Sequence, residues 1–209
     1  MGVPTLVEVY PPKNSTNIPN NTLIRLKFNE NIRTIPNDNG VIRITANATG
    51  NLIKELDKTD EAVGAIGANQ YGIIDSFLII KIDSLPDNTS IAVAIDANII
   101  ESTNDGGDFA GISIGPNEYN YVFQTNDTTD NTLPTVTERN PNHQGLARLD
   151  QNIVITFSEP VWPENRSAKI ILSKGPTTVE EILAKDITGI GTNTITFNPN
   201  ADLTDSLEY

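Results

Sequence analysis

The sequence predicts an all-β protein made of two tandem antiparallel β-sandwiches, and three observations support this. The first is an internal repeat: residues 4–8 (PTLVE) and 23–32 (LIRLKFNENI) return as residues 134–138 (PTVTE) and 152–161 (NIVITFSEPV). The second is a series of short runs in which apolar and polar residues alternate, as in half-buried strands. The third is the Pro, Asn, Asp and Gly chemistry between these runs, which is typical of turns. Many short strands at such spacing favour a sandwich of two sheets.

The repeat indicates two copies of one domain. Pro4 corresponds to Pro134 at a shift of 130 residues, and Phe28 corresponds to Phe157 at a shift of 129. A repeat that keeps its internal spacing in this way is the signature of domains in series.

We therefore expect one domain at residues 1–126, a second at 134–209, and a polar, acidic linker at 127–133. Pro134 favours an extended backbone where the second domain begins. Because the linker is short, we expect the two domains to lie end to end with limited freedom.

The individual strands follow from their patterns. In the first copy Ile24, Leu26 and Phe28 alternate with Arg25 and Lys27, so one set faces the core and the other faces solvent. Residues 77–80 (FLII) are continuously apolar, which predicts a strand that is covered on both faces. Further alternating runs lie at residues 91–95, 119–124, 153–157 and 194–197.

Two segments have a pattern closer to that of a helix. Residues 51–65 carry spaced apolar residues among charges, and residues 178–186 begin with TVEE, which fits a capping box. Both segments fall between the third and fourth predicted strands of their copy. We expect a short crossover helix or a covering loop at this place in each domain.

The two copies differ in length. After Leu85 the first copy continues through the strands at 91–95 and 119–124, whereas Tyr209 corresponds to about the start of the strand at 91. Judged against the first copy, the second sandwich is expected to lack its C-terminal strands. We expect that the chain was cut from a longer protein; a strand supplied by another chain is the alternative, because an incomplete sandwich leaves open sheet edges.

Composition argues against several classes of function. The 209-residue chain has a net charge of −13 and a pI of about 4.3. This argues against nucleic acid, which needs clustered Lys and Arg, and against anionic membrane surfaces. We see no segment long and apolar enough to span a bilayer. Since the chain has no cysteine, disulfides contribute nothing.

The residues resemble a known family. The run at 155–161 (ITFSEPV), together with PTV at 134–136 and TITFNP at 194–199, resembles the bacterial Ig-like domains of S-layer proteins. The loop at 100–111 is similar to that family's Gly-rich turn, and the strand that ends in residues 123–127 (FQTND) is similar to its last strand. The resemblance implies two tandem immunoglobulin-like sandwiches, the second incomplete, in an extracellular spacer or adhesion module at the bacterial cell surface.

The copper carriers of the CopC family have a strand similar to residues 157–161. Copper chemistry in those proteins uses His and Met ligands, and this chain has one of each, His143 and Met1. His143 lies in a turn-like segment, where a single histidine is usually exposed to solvent. We therefore expect no copper site.

Calcium is the one cofactor that the sequence suggests. Glu101, Asn104, Asp105 and Asp108 fall within eight positions of a Gly-rich loop, and Ca²⁺ takes six to eight oxygen ligands. The alternative is an ordinary turn in which Gly106 and Gly107 supply unusual backbone angles.

A second calcium hypothesis places an ion at the domain junction. Asp127 and Asp130 of the linker would share it with Glu30 or Glu159. These last two residues recur at equivalent positions just after a buried aromatic, and for them we favour a structural role, as strand-end carboxylates that accept hydrogen bonds from a neighbouring loop.

The sequence lacks the common catalytic motifs. The sequence offers no cysteine nucleophile, no G-x-S-x-G elbow and no phosphate loop. The single tryptophan, Trp162, could be a sugar platform, but a rim residue that covers the end of the sandwich is favoured.

The leading hypothesis is therefore a non-catalytic, monomeric structural and adhesion module. Its expected partners are other domains of the same protein and a cell-surface protein or polysaccharide. The alternative is an accessory polysaccharide-binding module of a secreted enzyme.

Overall fold

The computed structural model describes residues 2–36, 39–97, 99–104, 106–113, 121–142, 151–163 and 167–200. The chain folds as two compact units, Met1–Asn131 and Thr132–Tyr209, and the division falls inside the segment assigned to the linker. In the described ranges the helical elements are two short 3-10 turns, so the all-β prediction is confirmed. No helix in these ranges has the length and apolar character needed to cross a membrane.

The first unit is a sandwich of two four-stranded antiparallel sheets. One sheet has the strand order β1-β2-β7-β6 and the other has the order β10-β8-β4-β5, while β3 pairs with β9 separately. The described strands of this unit are β1 (Leu6–Tyr10), β2 (Ile24–Phe28), β3 (Ile32–Thr34), β4 (Ile42–Ala46), β5 (Asn51–Leu56), β6 (Gln70–Ile74), β7 (Phe77–Lys81), β8 (Ser90–Ile95), β9 (Ile100–Ser102) and β10 (Tyr121–Gln124).

The core of this unit lies between the two sheets. Ile24, Leu26 and Phe28 of β2 point inward and are at most 2% exposed, and they pack in one cluster with Ile91 and Phe123 of the opposite sheet. Arg25 and Lys27 point outward. The period-two alternation of the sequence therefore places the apolar residues as predicted, because successive side chains of a strand point to opposite faces.

The second unit repeats the beginning of the first. Its sheet β11-β12-β15 corresponds to β1-β2-β7, and its hairpin β13-β14 corresponds to β4-β5. Ile153, Ile155 and Phe157 occupy the inward positions of β12 but remain partly exposed. The described strands are β11 (Val136–Asn140), β12 (Ile153–Phe157), β13 (Lys169–Lys174), β14 (Thr177–Leu183) and β15 (Thr194–Phe197).

The two copies match in the details of their strand pairing. Leu6 pairs with Phe28 and Val136 pairs with Phe157, and in both cases a bulge follows within two residues. The amide of Thr5 donates to the Asn29 side chain at 2.8 Å, and the equivalent amide of Thr135 donates to Ser158 Oγ at 3.0 Å. The shift of 130 residues on one strand and 129 on the next is thus a structural repeat.

The helix expectation for residues 51–65 and 178–186 is wrong. Each segment contains the second strand of a hairpin, β5 or β14, followed by one 3-10 turn, Lys58–Asp60 or Ala184–Asp186. The capping box predicted at residues 178–181 lies inside β14. A capping box does form at the first turn, between Asp57 and Asp60. The two segments are equivalent in the two copies, as expected.

An insertion in the first unit explains why β7 is apolar on both faces. Phe77 and Ile79 point away from the core but are buried, because residues 61–69 fold over the outer face of the sheet. Ile66 lies directly above Gly72, where a Cβ atom would approach Ile66 Cδ1 to 2.8 Å. The equivalent outward positions of β15 are Thr194 and Thr196. The connection before β15 is shorter, so polar residues suit that face.

Candidate functional site

A polar network lies where β2 ends. Glu30 follows two residues after β2, and Ser102, at the end of β9, pairs with Ile32 of β3. The completely buried Ser102 hydroxyl donates to Glu30 Oε2 at 2.5 Å, and Ser102 Oγ accepts from the amide of Asn104 at 3.1 Å. Glu30 therefore acts as a hydrogen-bond acceptor that holds a neighbouring loop.

The candidate calcium residues of the Gly-rich loop lie beside this network. Glu101 forms an ion pair with Arg33, with 2.7 Å between Nε and Oε1, and its side chain is 13% exposed. Asp108 lies opposite Glu101 in an antiparallel bridge, which places the two carboxylates on the same face. Asn104 is exposed at the turn, and Asp105 lies outside the described residues.

The most enclosed of these carboxylates, that of Glu101, already has a cationic partner within the protein, Arg33. Arg33, Glu101 and Asp108 form one row across three adjacent segments, and Glu101, in the middle of the row, is ion-paired with Arg33. Within the described ranges, no group of three or more His, Cys, Asp or Glu side chains is arranged to hold a metal ion. Calcium binding at this loop stays a prediction.

The linker carboxylates lie at the opposite end of the first unit. Asp130 is held by Asn21, which precedes β2, whereas Glu30 follows β2. Asp127 is exposed in the same segment as Asp130. The structure therefore does not bring Asp127 and Asp130 together with Glu30. Glu159 follows Phe157 in the second unit as Glu30 follows Phe28 in the first.

The chain enters and leaves the first unit at opposite ends. Thr5 is bonded to Asn29, beyond the end of β2, and Asp130 is bonded to Asn21, before its start. The nine steps from Asn21 to Glu30 span at most about 30 Å at the rise of an extended strand. The two attachment points of the chain therefore lie at opposite ends of β2 in the first unit.

Trp162 is engaged within the second unit. A Cβ atom on Gly191 would lie 2.4 Å from Cη2 of the indole, so the ring rests against the Gly191 backbone. The amides of Val161 and Gly191 are each bonded across the same turn, to Thr192 and Val161 carbonyls at 3.1 and 2.9 Å. This geometry supports the rim interpretation over the sugar platform. His143 lies outside the described residues.

Some structurally important residues escaped sequence reasoning. No local pattern in the sequence marks Asn20 and Asn21, whose side chains bond to Thr129 and Asp130. Tyr121 lies in the predicted strand at residues 119–124, but the sequence does not show that its hydroxyl donates to the Pro11 carbonyl, at 2.9 Å. Burial raises the pKa of Tyr121 above its usual range, helped by nearby Tyr10 and opposed by Arg25.

The fold and its internal repeat define a protein of tandem immunoglobulin-like β-sandwiches. The sequence model of the bacterial Ig-like domain matches residues 2–125 and 130–209. The chain therefore belongs to the bacterial Ig-like domain family, with two copies in series.

Comparison with solved structures finds a likeness to CopC from Methylosinus trichosporium OB3b. The two chains are 18% identical and superpose with a TM-score of 0.36, over 62% of this chain and 99% of that one. No curated protein matches the chain.

Proposed function

We propose that the chain is a non-catalytic spacer and adhesion module of a larger bacterial cell-surface or secreted protein. The observation that carries the proposal is the placement of the two chain ends of the first unit at opposite ends of its sandwich. A module with this placement extends a protein by its own length, whereas a module with adjacent ends adds little. Membership of the bacterial Ig-like family supports the same conclusion.

The contacts of three candidate site residues favour structural roles over catalytic or ligand-binding roles. Glu30 accepts a hydrogen bond from a buried serine, Glu101 pairs with Arg33, and Trp162 packs against a glycine. Each of these groups stabilises a loop or strand end, which is what a repeated spacer requires. We accordingly propose that the module works as a monomer and that its partners are other domains of the same protein or components of the cell surface.

The spacer geometry is tested by a distance measurement. The chain has no cysteine, so spin labels placed by Val3→Cys and Asp127→Cys report the separation of the two ends of the first unit. We expect a single narrow distance distribution centred at roughly 25–30 Å, from the rise of the intervening strand. A centre below about 15 Å would contradict the proposal.

The biological role is tested on cells. The chain is inserted between a surface anchor and a terminal epitope, and antibody binding is compared with the anchor joined directly to the epitope. The spacer proposal expects greater epitope access with the chain in place. Saturable binding of the purified chain to cell-surface polysaccharide, lost in Trp162→Ala, would instead favour the accessory binding module.

A further inference from the structure

Residues 126–130, which lead from the first unit to the second, are hydrogen-bonded to the first unit. The amide of Asn126 donates to the Ile18 carbonyl at 2.8 Å, and the amide of Asn20 donates to the Thr128 carbonyl at 2.9 Å. The hydroxyl of Thr129 donates to Asn20 Oδ1 at 2.9 Å. Much of the sequence assigned to a linker is therefore an ordered edge of the first sandwich.

Asn21 makes the last contact of this series and the most specific one. Its Nδ2 donates to the Asp130 carbonyl at 2.7 Å, while its Oδ1 accepts from the Asp130 amide at 2.9 Å. One side-chain amide thus satisfies both backbone groups of one residue, as a neighbouring strand would. At neutral pH the carboxamides of Asn and Gln are the side chains that carry a donor and an acceptor in this arrangement.

Asn20 secures the same segment to the rest of the sandwich. Its side-chain Nδ2 donates to Asp87 Oδ1 at 2.8 Å, and its backbone carbonyl accepts from the amide of Leu85 at 2.9 Å. Leu85 is fully buried, so the contacts of the linker segment connect directly to the core.

We propose that Asn20 and Asn21 form a clamp that fixes the direction in which the chain leaves the first unit. The clamp holds the chain as far as Asp130, and the second unit holds it again from Thr135, whose amide donates to Ser158 Oγ at 3.0 Å. The joint between the units therefore begins after Asp130 and not at residue 127. This inference rests on the proposed spacer function and specifies which residues limit its bending.

The test uses the full chain and two readouts. Amide hydrogen exchange at Asp130 is measured first: we expect protection in the wild type and a loss of about tenfold in Asn21→Ala, as for one broken hydrogen bond. Asn21→Asp keeps the acceptor and loses the donor, so it should retain part of the protection. Thr16→Ala is the control, because Thr16 is exposed on the same loop and its side chain has no hydrogen bond within the described ranges.

The second readout is the freedom of the joint. Spin labels at Leu52→Cys in the first unit and Val179→Cys in the second, both exposed on strands, give a distance distribution between the units. We expect this distribution to broaden in the double variant Asn20→Ala, Asn21→Ala and to stay unchanged in Thr16→Ala. An unprotected Asp130 amide in the wild type, or an unchanged width in the double variant, would overturn the clamp. The spacer proposal is judged separately by the end-to-end distance within the first unit.

Discussion

The hydroxyl of Ser102 donates to Oε2 of Glu30 at 2.5 Å and joins residues that are 72 positions apart in the chain. Ser102 is completely buried, so its hydroxyl has no access to water. Ser102 Oγ also accepts a hydrogen bond from the amide of Asn104. The Ser102–Glu30 contact therefore connects the turn after β2 to the Gly-rich loop.

Replacement of Ser102 by alanine should destabilise the first unit. The change leaves the Asn104 amide and the Glu30 carboxylate without this partner, which costs about 1–3 kcal/mol for a buried group. Urea unfolding followed by circular dichroism measures the loss. Thr16→Ala, at an exposed position of the same unit, should change the free energy of unfolding by less than about 0.5 kcal/mol. Equal stability of the two variants would contradict the structural role of the contact.

The Tyr121 hydroxyl should make stability depend on alkaline pH. Burial raises the pKa of Tyr121 in the folded state above its ordinary value of about 10. Below pH 10 the side chain is protonated in both states and its contribution is fully present. Above pH 10 the unfolded chain loses the proton first, so the folded state loses about 1.4 kcal/mol of stability per pH unit.

This slope is isolated by comparing the wild type with Tyr121→Phe in urea unfolding at pH 7 to 11.5. At neutral pH the variant should be less stable by about 1 kcal/mol, because the bond to the Pro11 carbonyl is lost. The difference between the two proteins should shrink as the pH rises above 10. Stability curves that stay parallel across the whole range would refute the assignment.

Gly191 should tolerate alanine poorly. The residue has φ +86° and its added Cβ would lie 2.4 Å from the Trp162 ring. Gly175→Ala is the matched control, since it also has positive φ (+56°) but open space around it. We expect about 1 kcal/mol for the control from backbone strain alone and about 1–3 kcal/mol more for Gly191→Ala. Trp162 is the single tryptophan, so its fluorescence reports unfolding of the second unit; equal losses would argue against this packing.

Ile66 should stabilise the first unit from outside the core. It is half-buried above Gly72, whereas Val63 on the same insertion is fully exposed. We expect Ile66→Ala to lower the free energy of unfolding by about 1–2 kcal/mol, because the side chain covers the apolar outer face of β7. Val63→Ala should change it by less than about 0.5 kcal/mol. Thermal or urea unfolding of both variants checks this. An unchanged free energy of unfolding in Ile66→Ala would show that Ile66 does not stabilise the first unit.

Calcium is best tested by thermal unfolding in excess Ca²⁺ and then in EDTA. A ligand that binds only the folded state raises Tm by mass action. The calcium hypothesis expects a rise in Tm, whereas the ordinary-turn alternative, which the pairing of Arg33 with Glu101 supports, expects a shift of less than about 1 °C. A saturable rise of several degrees that is reduced in Asp108→Asn would show instead that the Gly-rich loop holds an ion.

Local patterns were sufficient for much of the fold. The alternation of Ile24, Leu26 and Phe28 predicted which residues enter the core, and the continuous apolar run at residues 77–80 predicted a strand covered on both faces. These features follow from the geometry of a single strand, so they can be read without knowing its neighbours. The repeat likewise predicted that the pair β1–β2 returns in the second copy, as β11–β12.

The two helix predictions failed because the local pattern of each segment is ambiguous and strand pairing decides its structure. Residues 51–56 and 177–183 carry apolar residues among charges, a pattern that is ambiguous over so few positions. The hairpin partners β4 and β13 supply the ladder that makes these segments strands. Pairing of this kind is a tertiary choice that overrides weak local preference.

The sequence by itself determined the all-β class, the tandem repeat and the inward face of the strands, because each of these depends on spacing along the chain. Only the tertiary structure decided which polar groups meet: Ser102 with Glu30, Glu101 with Arg33, and Asn21 with Asp130 across 109 positions. These contacts depend on strand order and register, which bring together residues that no local pattern connects. A buried or backbone polar group takes whichever partner the fold places within hydrogen-bond distance.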